Sequence, residues 1–513
     1  MTSPLISRLG TNYCPTDEEV PQIWELLVNP SSRLKQLDDK IAGLQKALDK
    51  LVEERASLGA FVEAHKALLS PIRRLPPDVI QEIFAACLPT HRNCVMSASE
   101  APVLLGRICS SWRAISLTTT RLWTRLHVVW PPRPIDLTTL IDAKIAQRVA
   151  VLETWLGRSG QLPLSISVQG YSPHLLQALL PFFSRLQHIQ FITTPPSFEP
   201  LSHITEADVP MLETIAVTRL PFRPDGWGEF AMFRGPRITG FTASVADFAT
   251  GNLPLQWHKL TILKMESGGN ISSHKLLTLL LRCPELRICR LWASDFDGTP
   301  HSPVGLEFLH TLELAPMMRG DVIAFLLDRL SLPELRNFSI AAQITDQHNL
   351  PGYLTRWTKL EGLEIGENSL SASSWVACLR SLPETMRRLV LRDTAANTSL
   401  SSLGGSRLET ALTALELAHG TPLCPALEEL HIPYTSALSD AALLRFITRR
   451  MVAVSPPTLR RVEVKFQRPR EVDILPDLQP FIDEGLRVSL TYLPPLRLPI
   501  SPWQGLLDAP KGV

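Results

Sequence analysis

A six-residue block, apolar-x-x-apolar-x-apolar, recurs eleven times between residues 186 and 464. Its instances are Leu186/Ile189/Phe191, Leu212/Ile215/Val217, Ile238/Phe241/Ala243, Leu260/Leu263/Met265, Leu286/Cys289/Leu291, Leu309/Leu312/Leu314, Leu335/Phe338/Ile340, Leu360/Leu363/Ile365, Met386/Leu389/Leu391, Leu427/Leu430/Ile432 and Leu459/Val462/Val464. Eight of the ten steps between first residues fall between 22 and 26 residues, and the last two are 41 and 32. That is the period of a leucine-rich repeat, whose units cannot bury their apolar faces alone and stack to do so. One unit, Leu360 to Leu370, carries the full pattern including Asn368. The others lack that asparagine, which predicts an irregular solenoid. Helical stretches separate the blocks at 173–184, 272–282, 321–330, 371–382 and 440–452. The expected fold class is therefore α/β: a solenoid over residues 162–493, with a parallel sheet on its concave side and helices outside. The 41-residue step predicts an inserted loop at 392–405 and a helix at about 408–418. The proline-rich segment 494–513 reads as a tail.

Ahead of the repeats the pattern changes. Leu34, Leu37, Ile41, Leu44, Leu48, Leu51, Leu58 and Val62 hold a and d positions of heptads, with Arg55 and His65 in the same seam. No proline falls between Ser31 and Ser70, so 31–69 is predicted as one long amphipathic helix. Asn29-Pro30-Ser31-Ser32 is a start signal for it, and residues 1–30 form an extension. Two readings stay open: a coiled-coil homodimer through 31–69, or a helix folded back on its own chain. Residues 131–161 read as a linker helix.

With 51 basic and 50 acidic residues, the chain lacks the basic excess of a nucleic-acid binder. No phosphate loop, dinucleotide fingerprint, nucleophile elbow or paired-histidine zinc motif occurs, so neither an enzyme, a cofactor nor a metal is expected. The eight cysteines form no C-x-x-C pair. Cys109 and Cys289 read as buried apolar-face residues. No secretory leader opens the chain and no aliphatic run is long enough to span a bilayer. The expectation is a cytoplasmic or nuclear protein that does not bind membrane. Arg449, Arg450, Arg460, Arg461, Lys465, Arg468 and Arg470 read as solvated edges rather than a phosphate site.

Strand alternation selects a candidate binding face. If the second and third apolar residues of each block point inward, the intervening ones point out. That row holds His188, Gln190, Lys264, Arg290, Glu313, Asn337, Glu364, Arg388, Glu429, His431, Arg461 and Glu463. Continuing the alternation adds Ile288 and Trp292, and a Trp beside an Arg is binding hot-spot composition. The mixed charge points to a protein partner. The candidate substrate-binding residues are Ile288, Arg290, Trp292, Glu313, Glu364, Arg388, Glu429 and Arg461.

Between these regions, residues 70–130 hold Leu75-Pro76-x-x-Val79-Ile80-x-x-Ile83-Phe84, then Ile108-Cys109-x-x-Trp112-Arg113, then Leu122-Trp123. This ordered set resembles the F-box. With a helix ahead of it, it resembles the large F-box families of mushroom-forming fungi. Three departures stand out: a long stretch from Thr90 to Ala101, Ile108 in place of valine, and Ser110 in place of a basic residue. The resemblance implies a non-catalytic substrate-recognition subunit of a cullin-RING ubiquitin ligase. Its F-box would bind the Skp adaptor, and through it the cullin, using Leu75, Pro76, Ile80, Ile83, Phe84, Leu104, Ile108, Cys109, Trp112 and Trp123. The solenoid would hold a protein substrate near the charged ubiquitin carrier. A scaffold that binds the adaptor without ubiquitin transfer, and a plain leucine-rich interaction protein, remain as alternatives.

Overall fold

The structure is a computed structural model. It describes residues 6–129, 138–170, 173–192, 199–217, 230–244, 253–266, 271–296, 301–316, 318–340, 346–366, 370–392, 407–416, 423–453 and 456–493. The chain divides into two compact units, Met1–Ile83 and Phe84–Val513.

The first unit is dominated by α1 (Glu19–Leu68), a helix of 50 residues. It starts twelve residues before the predicted start and runs through Pro30. The cause lies at its N-terminus. The Glu19 carboxylate accepts from the Thr16 backbone N–H at 3.0 Å and from the Tyr13 hydroxyl at 2.8 Å, and pairs with Arg8 at 2.8 Å. These bonds, the Thr16 N–H first, hold its pKa down to about 2. A carboxylate there also meets the positive helix end. Pro30 removes only one N–H from the ladder, and the turns on either side carry the helix across it. Helix α2 (Pro77–Ala86) begins on a proline and Asp78, as the sequence predicts.

The second unit is built on parallel strands. In chain order they are β1 (Arg125–Val129), β2 (Leu164–Gln169), β3 (Leu186–Phe191), β4 (Thr214–Val217), β5 (Gly240–Ser244), β6 (Ile262–Glu266), β7 (Ile288–Leu291), β8 (Val304–Gly305), β9 (Thr311–Leu314), β10 (Leu330–Ser331), β11 (Asn337–Ile340), β12 (Gly362–Gly366), β13 (Arg388–Arg392), β14 (Glu429–Thr435), β15 (Arg461–Phe466) and β16 (Arg487–Thr491). Two of them, β8 and β10, pair with each other; the other fourteen form one sheet in sequence order. Eleven of those fourteen are the eleven blocks. The remaining three, β1, β2 and β16, extend the solenoid beyond them. β1 lies inside the range predicted for the F-box, so the sheet begins about forty residues earlier than its expected start at 162.

Register explains why the repeat works. The middle apolar residue of each block meets its counterpart in the next strand. One column runs Leu126, Ile166, Ile189, Ile215, Phe241, Leu263, Cys289, Leu312, Phe338, Leu363, Leu389, Leu430, Val462 and Val488. All but Val488 are buried. Burying one such side chain stabilises by about 1.5–3 kcal/mol, and a one-residue slip would turn the column to the other face.

Helices close the other side. The stretches read from sequence appear as Pro173–Leu179, Ser273–Leu280, Gly320–Arg329, Ala372–Arg380, Arg407–Glu416 and Asp440–Ala453. Ser272 and Ser371 cap two of them by accepting from the backbone N–H three residues on. Phe338 meets Trp357 with ring centroids 4.8 Å apart, joining strand to outer layer. The linker-helix reading becomes α4 (Thr138–Arg158), which follows α3 (Ser110–Thr118). Asn368, the predicted insertion beyond Arg392 and the tail at 494–513 lie outside the described residues.

Candidate functional site

The ten F-box positions divide between the two units. In the first, Pro76 is exposed, Leu75 and Ile83 are half-buried, and Ile80 is buried. In the second, Phe84 is fully buried and its ring lies 4.9 Å from that of the half-buried Trp112. Leu104 and Ile108 stand out in water, 41% and 54% exposed. They flank a 3₁₀ turn, Leu105–Arg107, that leads into α3. The Arg113 side chain donates to the Gly106 carbonyl at 2.8 Å and ties that turn to the helix.

Cys109 departs from its expected burial. It is exposed and forms the N-cap of α3, its sulfur accepting from the Trp112 backbone N–H at 3.4 Å. The helix starts one residue after it, so the cysteine faces out from the first turn. Trp123 differs in the other direction. It is 3% exposed, donates from its indole to the Ser116 carbonyl at 2.8 Å, meets the Trp155 ring at 4.8 Å and lies under Arg158. The structure thus packs it between α3 and α4, in the core of the second unit. Cys289, by contrast, is buried as expected, and burial pushes its thiol pKa well up.

The long stretch from Thr90 to Ala101 has a structural use. Val95 bridges to His127, and the His127 backbone N–H donates to the Cys94 carbonyl at 2.6 Å, so this segment covers the outer edge of β1. Asn93 fixes it, donating to Ser167 at 3.2 Å and accepting from Ser165 at 3.0 Å. Arg125 donates to the carbonyls of Pro89 and Arg92, and Arg92 pairs with Glu100. An uncovered edge strand would template pairing with another chain.

The open face of the sheet carries the predicted row. Arg290 pairs with Glu313 at 2.9 Å, Arg392 pairs with Glu364, Arg388 pairs with Glu429 at 3.5 Å and Arg461 pairs with Glu463 at 2.9 Å. A groove of about 450 Å³ lies among Glu313, Asn337, Gly362, Glu364, Arg388 and His431. Gly362 floors it: a Cβ there would come within 2.5 Å of the Asn337 side-chain oxygen. Ile288, Arg290 and Trp292 share the β7 end of this face and are all half-buried. The sequence row held His188, which meets Thr214 at 2.7 Å, but missed the strands before it, where His127 meets Ser167 at 2.9 Å. Burial lowers the pKa of both imidazoles. Their signal was the alternation His127-Val128 and Ser165-Ile166-Ser167-Val168.

Of the arginines read as solvated edges, Arg450 is interior and Arg468 is half-buried. Arg450 is buried and donates to the carbonyls of Leu423, at 2.7 Å, and Cys424. Arg468 is bound to the buried Asp440. Among the described residues, no group of three His, Cys, Asp or Glu could hold a metal, and no helix is long and apolar enough to cross a membrane.

The chain matches no family model and no curated protein. Among solved structures it is similar to the Rad7 and Elc1 complex in yeast, at 13% identity and a TM-score of 0.35, covering 93% of this chain and 98% of that one. It is also similar to the TLR13–ssRNA13 complex, at 13% identity and a TM-score of 0.30, covering 72% of this chain and 58% of that one.

Proposed function

We propose that this chain is a non-catalytic recognition subunit of an SCF-type ubiquitin ligase. Its F-box-like segment docks on a Skp adaptor, and through it a cullin, while the open face of the solenoid holds a protein substrate. The observation that carries the reading is the exposure of Leu104 and Ile108. They are apolar, adjacent in the fold to the α3 cap, and fall at positions where the F-box resemblance expects adaptor contact. Exposed apolar side chains grouped beside a rigid helix mark a protein interface better than a catalytic one. They sit in the same compact unit as the solenoid, so a partner on each would be held at fixed separation. Such a chain would work in the cytoplasm or nucleus.

Co-expression with a Skp adaptor tests the reading. A stable complex is expected from the wild type. Leu104→Glu with Ile108→Glu, and separately Leu75→Ala with Pro76→Ala, should each abolish it while the thermal unfolding of the solenoid is retained. A folded wild-type chain that forms no complex, or double variants that still bind, would overturn the assignment.

A further inference from the structure

The helix that opens the chain is longer than its spacing predicts, and its surplus falls in register. Carrying the heptad back from Leu34 puts Leu27 and Val20 at a positions and Ile23 at a d position, with Pro30 at the d position between. The seam thus runs from residue 20 to residue 65, well beyond the three to four heptads that argue for a coiled coil. Its leucines, isoleucine and valines, apart from the half-buried Ile23, are 37–72% exposed.

Three features select the occupant. The seam repeats every 3.5 residues, flanked by Arg33, Lys40 and Glu54 at g and Asp38, Gln45 and Lys66 at e, with apolar Ala47 and Phe61 at g and Val52 at e widening it in places. A helix meant for a globular surface would show a stripe of period 3.6. Leucine fills d at 37, 44, 51 and 58, and a holds β-branched Ile41 and Val62 beside Leu34 and Leu48; β-branched a with leucine at d is the combination that favours two parallel strands. In that pairing each g residue faces the e residue five positions on in the other copy. Arg33 then meets Asp38, and the remaining pairs, Lys40/Gln45, Ala47/Val52, Glu54/Gly59 and Phe61/Lys66, set no like charges together. Arg55 at a is the one charged residue in the apolar run, and a g-position Glu54 stands beside it. A single polar a residue costs stability but fixes register.

We propose that α1 forms a parallel two-stranded coiled coil with a second copy of this chain, making the protein a homodimer. This stands apart from adaptor binding. The test is light scattering of the purified full-length chain over a range of concentrations. The expected mass is twice 57.1 kDa. Leu37→Glu/Leu44→Glu/Leu51→Glu should give the monomer mass while the solenoid's unfolding transition stays in place. A Leu44→Cys variant with the exposed Cys14, Cys87 and Cys109 replaced by serine should form a disulfide-linked dimer under mild oxidation that the same chain with Leu44 does not form, because a parallel pair brings identical d residues together. A monomeric wild type, a trimer, a dimer that survives the triple substitution, or no Leu44→Cys cross-link would overturn the proposal.

Discussion

The two ends of the sheet solve one problem in different ways. At the N-terminal end the open face is lined by hydroxyls and imidazoles, and β1 is covered by a loop held through Asn93. Toward the C-terminal end the open face becomes a ladder of ion pairs, and the last strands are held by a buried carboxylate. Asp440 is fully buried and accepts from Arg468 at 3.0 and 3.2 Å, from the backbone N–H groups of Glu471 and Val472 at 3.0 Å each, and from the Tyr492 hydroxyl at 2.9 Å. Neutral hydrogen bonds resist salt, and the loss of one costs only the desolvation of the partner left behind. A buried charge is all or nothing, because removing one partner strands the others.

The largest expected effect follows from that difference. Asp440→Ala takes the carboxylate from Arg468, which keeps the Leu438 and Pro469 carbonyls, and leaves two N–H groups and the Tyr492 hydroxyl without that acceptor. A loss of about 3–5 kcal/mol is expected, the range for breaking a buried pair by removing one partner. Urea unfolding of the full chain measures it. The pH sense is fixed as well. Burial alone would raise the Asp440 pKa, but Arg468 and the backbone N–H groups of Val472 and Glu471 outweigh it and lower the value. The stability this group contributes is present above the usual carboxylate pKa and lost as pH falls through the lowered one. Unchanged stability in Asp440→Ala would break the contrast between the two ends.

Much of this architecture was legible beforehand. Eleven strands announced themselves because each presents the same three inward apolar residues at a nearly constant step. β1 and β16 escaped because Trp123 and Gly485 stand where the block has its leading aliphatic residue, and β2 because its Leu164, which pairs with Leu186, comes one residue too close to Ile166. The start of α1 escaped because Pro30 looks like a boundary, and the tertiary bonds that stabilise Glu19 reach back to Tyr13 and Arg8. The inward or outward fate of Cys109, Trp123, Arg450 and Arg468 was illegible for a different reason. Helix phase at a cap, and the carbonyls that receive a buried guanidinium, are set by residues distant in sequence.

A smaller effect is expected at the N-terminal end. Asn93→Ala removes an acceptor from Ser165 and a donor to Ser167, leaving partly buried hydroxyls. A cost of about 1–3 kcal/mol is expected from unpaired groups of that kind. Hydrogen exchange should show faster opening confined to β1 and the covering loop, with β14 to β16 unaffected. Equal acceleration at both ends would mean that the solenoid unfolds as one block and that its edges are not independent.

The smallest effect sharpens the meaning of the charged ladder. Arg290 and Glu313 are partly exposed, so their pair sits in high dielectric and is screened by salt. Glu313→Gln keeps the shape and a hydrogen-bond acceptor while removing the charge, and a change of no more than about 1 kcal/mol is expected. Such pairs set which surface can approach more than they hold the sheet together. The ladder should therefore be nearly silent in unfolding experiments at any salt concentration and audible only when a partner is bound. A loss of several kcal/mol in Glu313→Gln, abolished by high salt, would assign the ladder to stability and remove its claim as the recognition face.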